Sequence, residues 1–460
     1  MRHNKEEFMR TMKRVAAVAL SVVVLMTSGV SAKAAVTDVQ PAKSSSEAVL
    51  KWAKKVGEPF DEKTYANNTV SKIKLVGNYL YVADDAKHRI MKIDKKDGTI
   101  LKEQKYCDES YIQGYVSSIG YGDGKVYVGY DNGRVQAFDE NTLESLWITD
   151  ENKNAINSDF VFTNGKLYFG TTAKTTDWYD NGAPFSYYVV TTSDDDKTKP
   201  DEEKTMKKVV ESKTGKFYLK KGVVLGKYIV ISDTAGTLTM IDTTNDKVTD
   251  TKDIGEAFSG NITYDEMTGT IYFVAGTNDL YGIKVSADGK LKDEKKVRLY
   301  ETGYSSTTPE VYNGKVYVSG SKGKAFQDKG YMAVADVSSD KYKVNYTVEL
   351  SNYSQCEPTI VKTGENSVRV YFTINDEPGG IYAIEDSKDA TSATLETVYE
   401  PTGDIKNTGC MSDVVVDEDG TIYFANDSKY IMSVGKKVED TKKPVTKTVK
   451  STRSVKLTWK

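Results

Sequence analysis

The sequence predicts an all-β protein, an eight-bladed β-propeller of four-stranded antiparallel blades whose last blade is closed by an N-terminal strand. Three observations carry this. A turn glycine followed by a short apolar run with tyrosine recurs as Gly77-Asn-Tyr-Leu-Tyr-Val82, Gly124-Lys-Val-Tyr-Val128, Gly165-Lys-Leu-Tyr-Phe169, Gly226-Lys-Tyr-Ile-Val230, Gly269-Thr-Ile-Tyr-Phe273, Gly314-Lys-Val-Tyr-Val318, a glycine-less Ser367-Val-Arg-Val-Tyr-Phe372 and Gly420-Thr-Ile-Tyr-Phe424. Eight strand copies spaced by roughly 40 to 50 residues mark a repeat architecture. Each repeat divides into four short strands, and the eighth lacks its own outermost one.

The second repeat shows the division. Tyr115 to Gly122 reads as the innermost strand, Lys125 to Tyr130 as the second, Arg134 to Asp139 as the third and Ser145 to Thr149 as the outermost. Asp123-Gly124 and Asn132-Gly133 supply the positive φ angles that tight hairpins need, and similar pairs recur at Asn164-Gly165, Asn313-Gly314 and Asp419-Gly420. Alternation in Lys125-Val-Tyr-Val-Gly-Tyr130 suits a strand rather than a helix. Closure follows from Val49 to Val56, whose Trp52 resembles Trp147 of the second repeat's outer strand. That segment is expected to pair beside Ile431-Met-Ser-Val434, so that joining the chain ends in one sheet removes two exposed edges.

The ends of the 460-residue chain differ from its body. Met12-Lys-Arg14, the apolar run Val15 to Met26 and Ala32-Lys-Ala34 form a secretory signal peptide over residues 1–34. The propeller is expected over residues 35–437 and the protein outside the cell, secreted or associated with the cell wall, with no membrane span in the mature chain. Residues 438–460 begin as a charged linker. Val449 to Trp459 either opens a fibronectin type III or Ig-like module or is a polar tail.

Charge and composition narrow the function. The chain has 63 basic and 66 acidic residues, and removing residues 1–34 leaves 57 against 64, a balance of −7. No nucleic-acid footprint is present. Two histidines, His3 and His88, leave little imidazole for metal binding or base catalysis. Asp194-Asp-Asp196 and Asp201-Glu-Glu203 lack calcium-loop spacing and, mixed with Lys197, Lys199 and Lys204, read as a solvated loop. No metal site is expected. Asp94, Asp139 and Asp242, each ending a third strand, are expected to serve turns.

Val126-Tyr-Val-Gly129, Asp131 to Asp139 and Leu146-Trp147 resemble the PQQ-like, or quinoprotein-like, β-propeller repeat, and Lys92-Ile-Asp94, Asp97-Gly98 and Ile100-Leu101 repeat the pattern. The resemblance covers about residues 45 to 437 and implies the fold. The family includes enzymes and non-catalytic scaffolds such as the BamB-type proteins of outer-membrane assembly, and the latter are the nearer match. Only Trp52 and Trp147 occupy the outer-strand tryptophan position, and no adjacent cysteine pair exists to cover a quinone. The expectation is therefore a non-catalytic binding or scaffold module without a cofactor. The alternative is a propeller enzyme, either a quinoprotein oxidoreductase or a carbohydrate-active lyase or hydrolase.

Loops joining outermost to innermost strands should share one face with those joining second to third strands. On that face lie the insertions Thr171 to Pro184, with Trp178 and Tyr179, and Ser321 to Lys329, together with Tyr111, Tyr115, Tyr304 and Tyr353. These aromatics are the candidate contacts for a peptide or glycan, because each offers flat apolar area with a polar edge. Packing between sheets is the competing role. Of the three cysteines, Cys356 and Cys410 precede the innermost strands of the last two repeats and are either a disulfide or two buried thiols, and Cys107 stays unpaired.

Overall fold

The computed structural model describes residues 39–57, 72–84, 87–106, 119–174, 183–193, 202–324 and 329–437. Eight antiparallel sheets follow one another along the chain and form the eight blades of a propeller. Blade 6 is representative: Glu310–Tyr312, Lys315–Ser321, Gly330–Asp336 and Lys343–Leu350 pair in sequence order. Each tyrosine strand is the second of its blade, for example Tyr79–Asp84 in blade 1 and Ile422–Ala425 in blade 8. Among the described residues no helix is long and apolar enough to cross a membrane.

The ring closes as the repeat count requires. Ala48–Lys55 pairs antiparallel with Tyr430–Lys436, from Ala48 opposite Lys436 to Lys55 opposite Tyr430, and is the outermost strand of blade 8. Trp52 then donates its indole N–H to the Lys95 carbonyl of blade 1 at 3.1 Å. Upstream residues tie blade 7 to blade 8: Ser45 N–H donates to Thr397 O at 3.0 Å, and buried Arg369 donates to Lys43 O.

Apolar clusters fill the spaces between neighbouring blades, one joining Tyr317, Met332 and Val348 of blade 6 to Val370, Phe372 and Ile384 of blade 7. The repeated tyrosine adds a polar stitch. Its ring is buried, and in five blades its hydroxyl donates beyond its own blade: Tyr81 to Glu140 O at 2.7 Å, Tyr168 to Asp246 Oδ1 at 2.6 Å, Tyr317 to Asp386 Oδ2 at 2.8 Å, Tyr371 to Ala42 O at 3.2 Å and Tyr423 to Lys95 O at 3.1 Å. Tyrosine suits the position because the ring fills the gap and the hydroxyl finds an acceptor at its far side.

Two expectations are resolved by these contacts. Aspartates ending third strands cap turns: Asp94 Oδ1 accepts from Lys96 N–H at 2.8 Å, Asp139 Oδ1 from Asn141 N–H at 2.8 Å and Asp242 Oδ1 from Thr244 N–H at 2.9 Å. The acidic stretch near Glu203 is not wholly a solvated loop. Glu202–Lys204 leaves blade 3 and pairs in parallel with Trp147–Thr149, adding a fifth strand to blade 2. Lys204 is buried there, with its ammonium 5.3 Å from the Trp147 ring, so a covered edge and a cation–π contact offset its burial. Asp194 to Asp201 lie outside the described residues.

Candidate functional site: the axial channel and its loop face

The innermost strands share a common register. The repeated tyrosine position pairs with Lys74, Val161, Thr263, Glu310, Thr359 and Val415 in blades 1, 3, 5, 6, 7 and 8, and Val230 in that position pairs with Val223 in blade 4. Two residues earlier along each strand stand Lys72, Asp159, Asn261, Thr308, Glu357, Asp413 and Lys221. A polar ring therefore surrounds the axis, with Lys74 and Glu310 one level further in.

These groups meet across the channel. Lys221 of blade 4 bonds Glu357 of blade 7 at 3.1 Å, and Lys72 of blade 1 bonds Asp413 of blade 8 at 2.9 Å. Asp413 also accepts the Glu357 backbone N–H at 2.7 Å, and Asn261 accepts that of Lys221 at 2.9 Å. Lys72 keeps 43 % of its side-chain surface open, so its ion pair with Asp413 is reached by solvent.

Burial opposes charge on Lys72, Lys74, Lys221, Glu310 and Glu357, and their neighbours set the direction in which each is pushed. Burial raises the Glu310 carboxyl well above its usual range, the neighbouring Glu357 raises it further, and the two carboxyls are hydrogen-bonded. Of the two carboxyls, Glu310 is the one that its surroundings push toward the protonated form. Burial also acts to raise Glu357, but Lys221, Lys72 and the Glu310 hydrogen bond outweigh it and hold Glu357 low. Lys72 and Lys221 are pushed up despite burial, chiefly by Asp413 and Glu357 respectively. Lys74 is pushed down by burial and by the neighbouring Lys221 and Lys72 charges.

Tyr304 and Tyr353 occupy equivalent places, four residues before Thr308 and Glu357, in the segments leading into the innermost strands of blades 6 and 7. Tyr304 exchanges backbone hydrogen bonds with Ser321, at the start of the loop between the second and third strands of blade 6. Tyr353 O accepts from Asn375 N–H at 2.9 Å in the corresponding loop of blade 7. Both rings are half-buried. Trp178, Tyr179, Tyr111 and Tyr115 lie outside the described residues, as does Cys107.

Cys356 and Cys410 are free buried thiols, not a disulfide. Cys356 belongs to the core between blades 6 and 7 and accepts the Thr373 backbone N–H at 3.1 Å. Cys410 belongs to the core between blades 7 and 8 and donates to Ala425 O at 3.6 Å. The blade 7 sheet therefore separates the sulfurs, which sequence offset alone cannot reveal.

The charge ring was not anticipated from the sequence. Asp159 precedes its tyrosine by nine residues and Glu357 by fourteen, so unequal hairpins hide a position that strand pairing makes equivalent. Aligning the repeats on strand pairs rather than on spacing is the signal that finds it.

The structure is similar to BamB from Moraxella catarrhalis, with a TM-score of 0.56 at 12% identity over 84% of this chain and 99% of that one. It is similar to a quinohemoprotein alcohol dehydrogenase from Pseudomonas putida HK5 (TM-score 0.58, 12% identity, 87% of this chain and 78% of that one). A quinohemoprotein alcohol dehydrogenase from Comamonas testosteroni gives 0.59 at 11% identity over 85% and 76%. The fold is the PQQ-like eight-bladed propeller. No family model matches the sequence, and no curated protein matches it.

The dehydrogenases raise the question of a quinone. Such a group needs a planar stacking partner, a Lewis-acidic ion and a positioned base. In this channel Glu357 and Asp413 are each matched to a lysine. Among the described residues no group of three or more His, Cys, Asp or Glu side chains is placed to hold a metal ion. The described residues at the axis do not fit a quinone held with a divalent cation.

Proposed function

We infer that this chain is an exported, non-catalytic binding or scaffold module whose ligand, a peptide or a glycan, sits on the face carrying Tyr304 and Tyr353. One observation carries the reading: the Lys221–Glu357 ion pair spans the channel from blade 4 to blade 7. Paired in this way, the axial charges tie blades 4 and 7 together across the centre of the ring. Loops on a rigid scaffold are then the natural place for recognition. The likeness to BamB supports a scaffold role at the level of fold.

The test is a glycan and peptide array probed with the mature chain and with the Tyr304→Ala/Tyr353→Ala variant. Binding should weaken by about 1 to 3 kcal/mol in total, the range for aromatic anchors, with little change in melting temperature. Loss of stability without loss of binding would assign these tyrosines to packing.

A second reading has its own observation. Glu310 and Glu357 have carboxyl pKa values driven in opposite directions, the pattern of an acid–base pair. Against it, Glu310 is only 4 % exposed and Glu357 is engaged by Lys221, so neither presents a free oxygen to a substrate. Glu310→Gln that abolishes a turnover while preserving the fold would favour the enzyme.

A further inference from the structure

In four blades the outermost strand aims an aromatic side chain at the next blade. The residue that follows this strand's bulge is Trp147 in blade 2, Tyr346 in blade 6, Tyr399 in blade 7 and Trp52 in blade 8, opposite Ala137, Val334, Ile381 and Ser433. Each meets its neighbour: Trp147 packs with Leu167 of blade 3, the Tyr346 hydroxyl donates to Asp386 of blade 7, the Tyr399 and Phe424 ring centroids lie 6.1 Å apart, and Trp52 bonds blade 1. In blade 3 the same place, opposite Tyr187, holds Val210. A groove of about 420 Å³ opens there, walled by Val209 and Val210 on one side and by Thr237, Thr239, Val248 and Thr251 of blade 4 on the other. Polar contacts close its two ends, Lys207 to Asp246 at 3.0 Å and Ser212 Oγ to Asp233 Oδ2 at 2.7 Å. The middle stays open, and Val248 keeps 43 % of its surface exposed.

We propose that this groove docks an extended peptide of a partner protein, which lies along Lys207–Ser212 as a fifth strand of blade 3 and places one aromatic side chain in the slot. The volume lies within the range of pockets that enclose small organic groups, about 300 to 1,000 Å³. Threonine beside valine favours a ring with a polar edge, tryptophan or tyrosine, over a purely apolar group. The neighbouring blade supplies the precedent. There Glu202–Lys204 lies beside Trp147–Thr149 as a fifth strand, and its Lys204 ammonium comes within 5.3 Å of the Trp147 ring. Lys207–Ser212 ends its own sheet, and among the described residues no strand pairs with its outer edge. Main-chain pairing at that edge gives affinity, and the slot gives selectivity. The groove belongs to blades 3 and 4 whereas Tyr304 and Tyr353 belong to blades 6 and 7, so its test is independent of the loop face.

The test is an array of short peptides with varied flanks and tryptophan, tyrosine or alanine fixed at the centre, probed with the full chain. The tryptophan and tyrosine sets should bind about tenfold more tightly than the alanine set, and N-methylation of alternate peptide amides should weaken the best binders by removing ladder donors. Val210→Trp supplies the missing ring from within, as blades 2 and 8 do, and should remove the aromatic preference without lowering the melting temperature. Val248→Arg, at the exposed rim, should remove it as well and serves if the first variant fails to fold. Tyr304→Ala/Tyr353→Ala should leave it unchanged. Equal binding of the three sets, or an aromatic preference that survives both groove variants, overturns the proposal. So does a preference that emerges only after Trp178→Ala or Trp459→Ala, which would give the slot to an aromatic of this chain, or a dimer that Val210→Trp abolishes, which would give it to a second copy.

Discussion

The Lys315–Asp386 contact between blades 6 and 7 allows a prediction with a magnitude. Asp386 is 2 % exposed and Lys315 7 %. The Lys315 ammonium lies 3.1 and 2.9 Å from the two Asp386 oxygens and donates to Ser387 O at 2.6 Å. Tyr317 and Tyr346 hydroxyls also donate to Asp386. Removing one partner strands a buried charge, which costs about 3 to 5 kcal/mol. Lys315→Met leaves the carboxylate with two tyrosines, and Asp386→Asn leaves the ammonium facing an amide, so each should fall near the lower figure. The double variant removes both charges, keeps an acceptor for both tyrosines and nearly preserves volume, so it should cost about 2 kcal/mol or less. Urea unfolding followed by tryptophan fluorescence measures all three. Single variants within about 1 kcal/mol of the parent, or a double variant equal to the sum of the singles, would refute the view that this network is a high-stakes stitch. The related Lys166–Asp246 pair of blades 3 and 4, at 2.7 Å with side chains 23 % and 10 % exposed, should show a smaller coupling because water reaches it.

Other consequences follow from the ring and its closure. Glu310 binds its proton more tightly folded than unfolded, so its contribution is full below the unfolded glutamate pKa of about 4.3 and is lost as pH rises above it. Glu310→Gln should flatten that decline in a melting-temperature series from pH 4 to 9, and an unchanged slope would contradict the assignment. Glu357 has the opposite sign: held low, it stabilises above about pH 4.3 and loses that contribution on acidification, and Glu357→Gln should cost about 3 kcal/mol at pH 7 by stranding Lys221. Cys356 and Cys410 should resist a thiol reagent in the native state and react on unfolding, and rapid native reaction of either would show that it is not core. Deleting residues 45–57 should destabilise the whole ring, since it uncovers Tyr430–Lys436; trimming of stability in blade 8 alone would count against closure by that strand.

Most of the fold was legible because a strand announces itself locally. Lys125-Val-Tyr-Val carries its turn, its alternation and its tyrosine in one short window, and the missing outer strand of blade 8 pointed to Trp52. What stayed hidden depends on closure. Glu202–Lys204 reads as polar loop because its strand character comes from the free edge at Trp147–Thr149 in another blade. Cys356 and Cys410 look adjacent by offset, yet a sheet lies between them.

The axial ring is the strongest case of the same limit. Lys72, Lys221, Glu357 and Asp413 look like ordinary surface charges in their own segments, and each would be solvated if its blade stood alone. Eight innermost strands converging on one axis bring four blades' charges into two ion pairs, and they bury Glu310 beside Glu357 with its carboxyl pushed well above its usual range. Tyrosine stitches act between neighbouring blades, but Lys221–Glu357 joins blades three apart. That contact couples non-neighbouring blades directly, so a change at Glu357 should be felt in blade 4 as well as in blade 7. Hydrogen exchange on Glu357→Gln gives the decisive reading: faster exchange in both Thr359–Lys362 and Val223–Leu225 is expected, and a response confined to blade 7 would mean that the pair merely fills the channel.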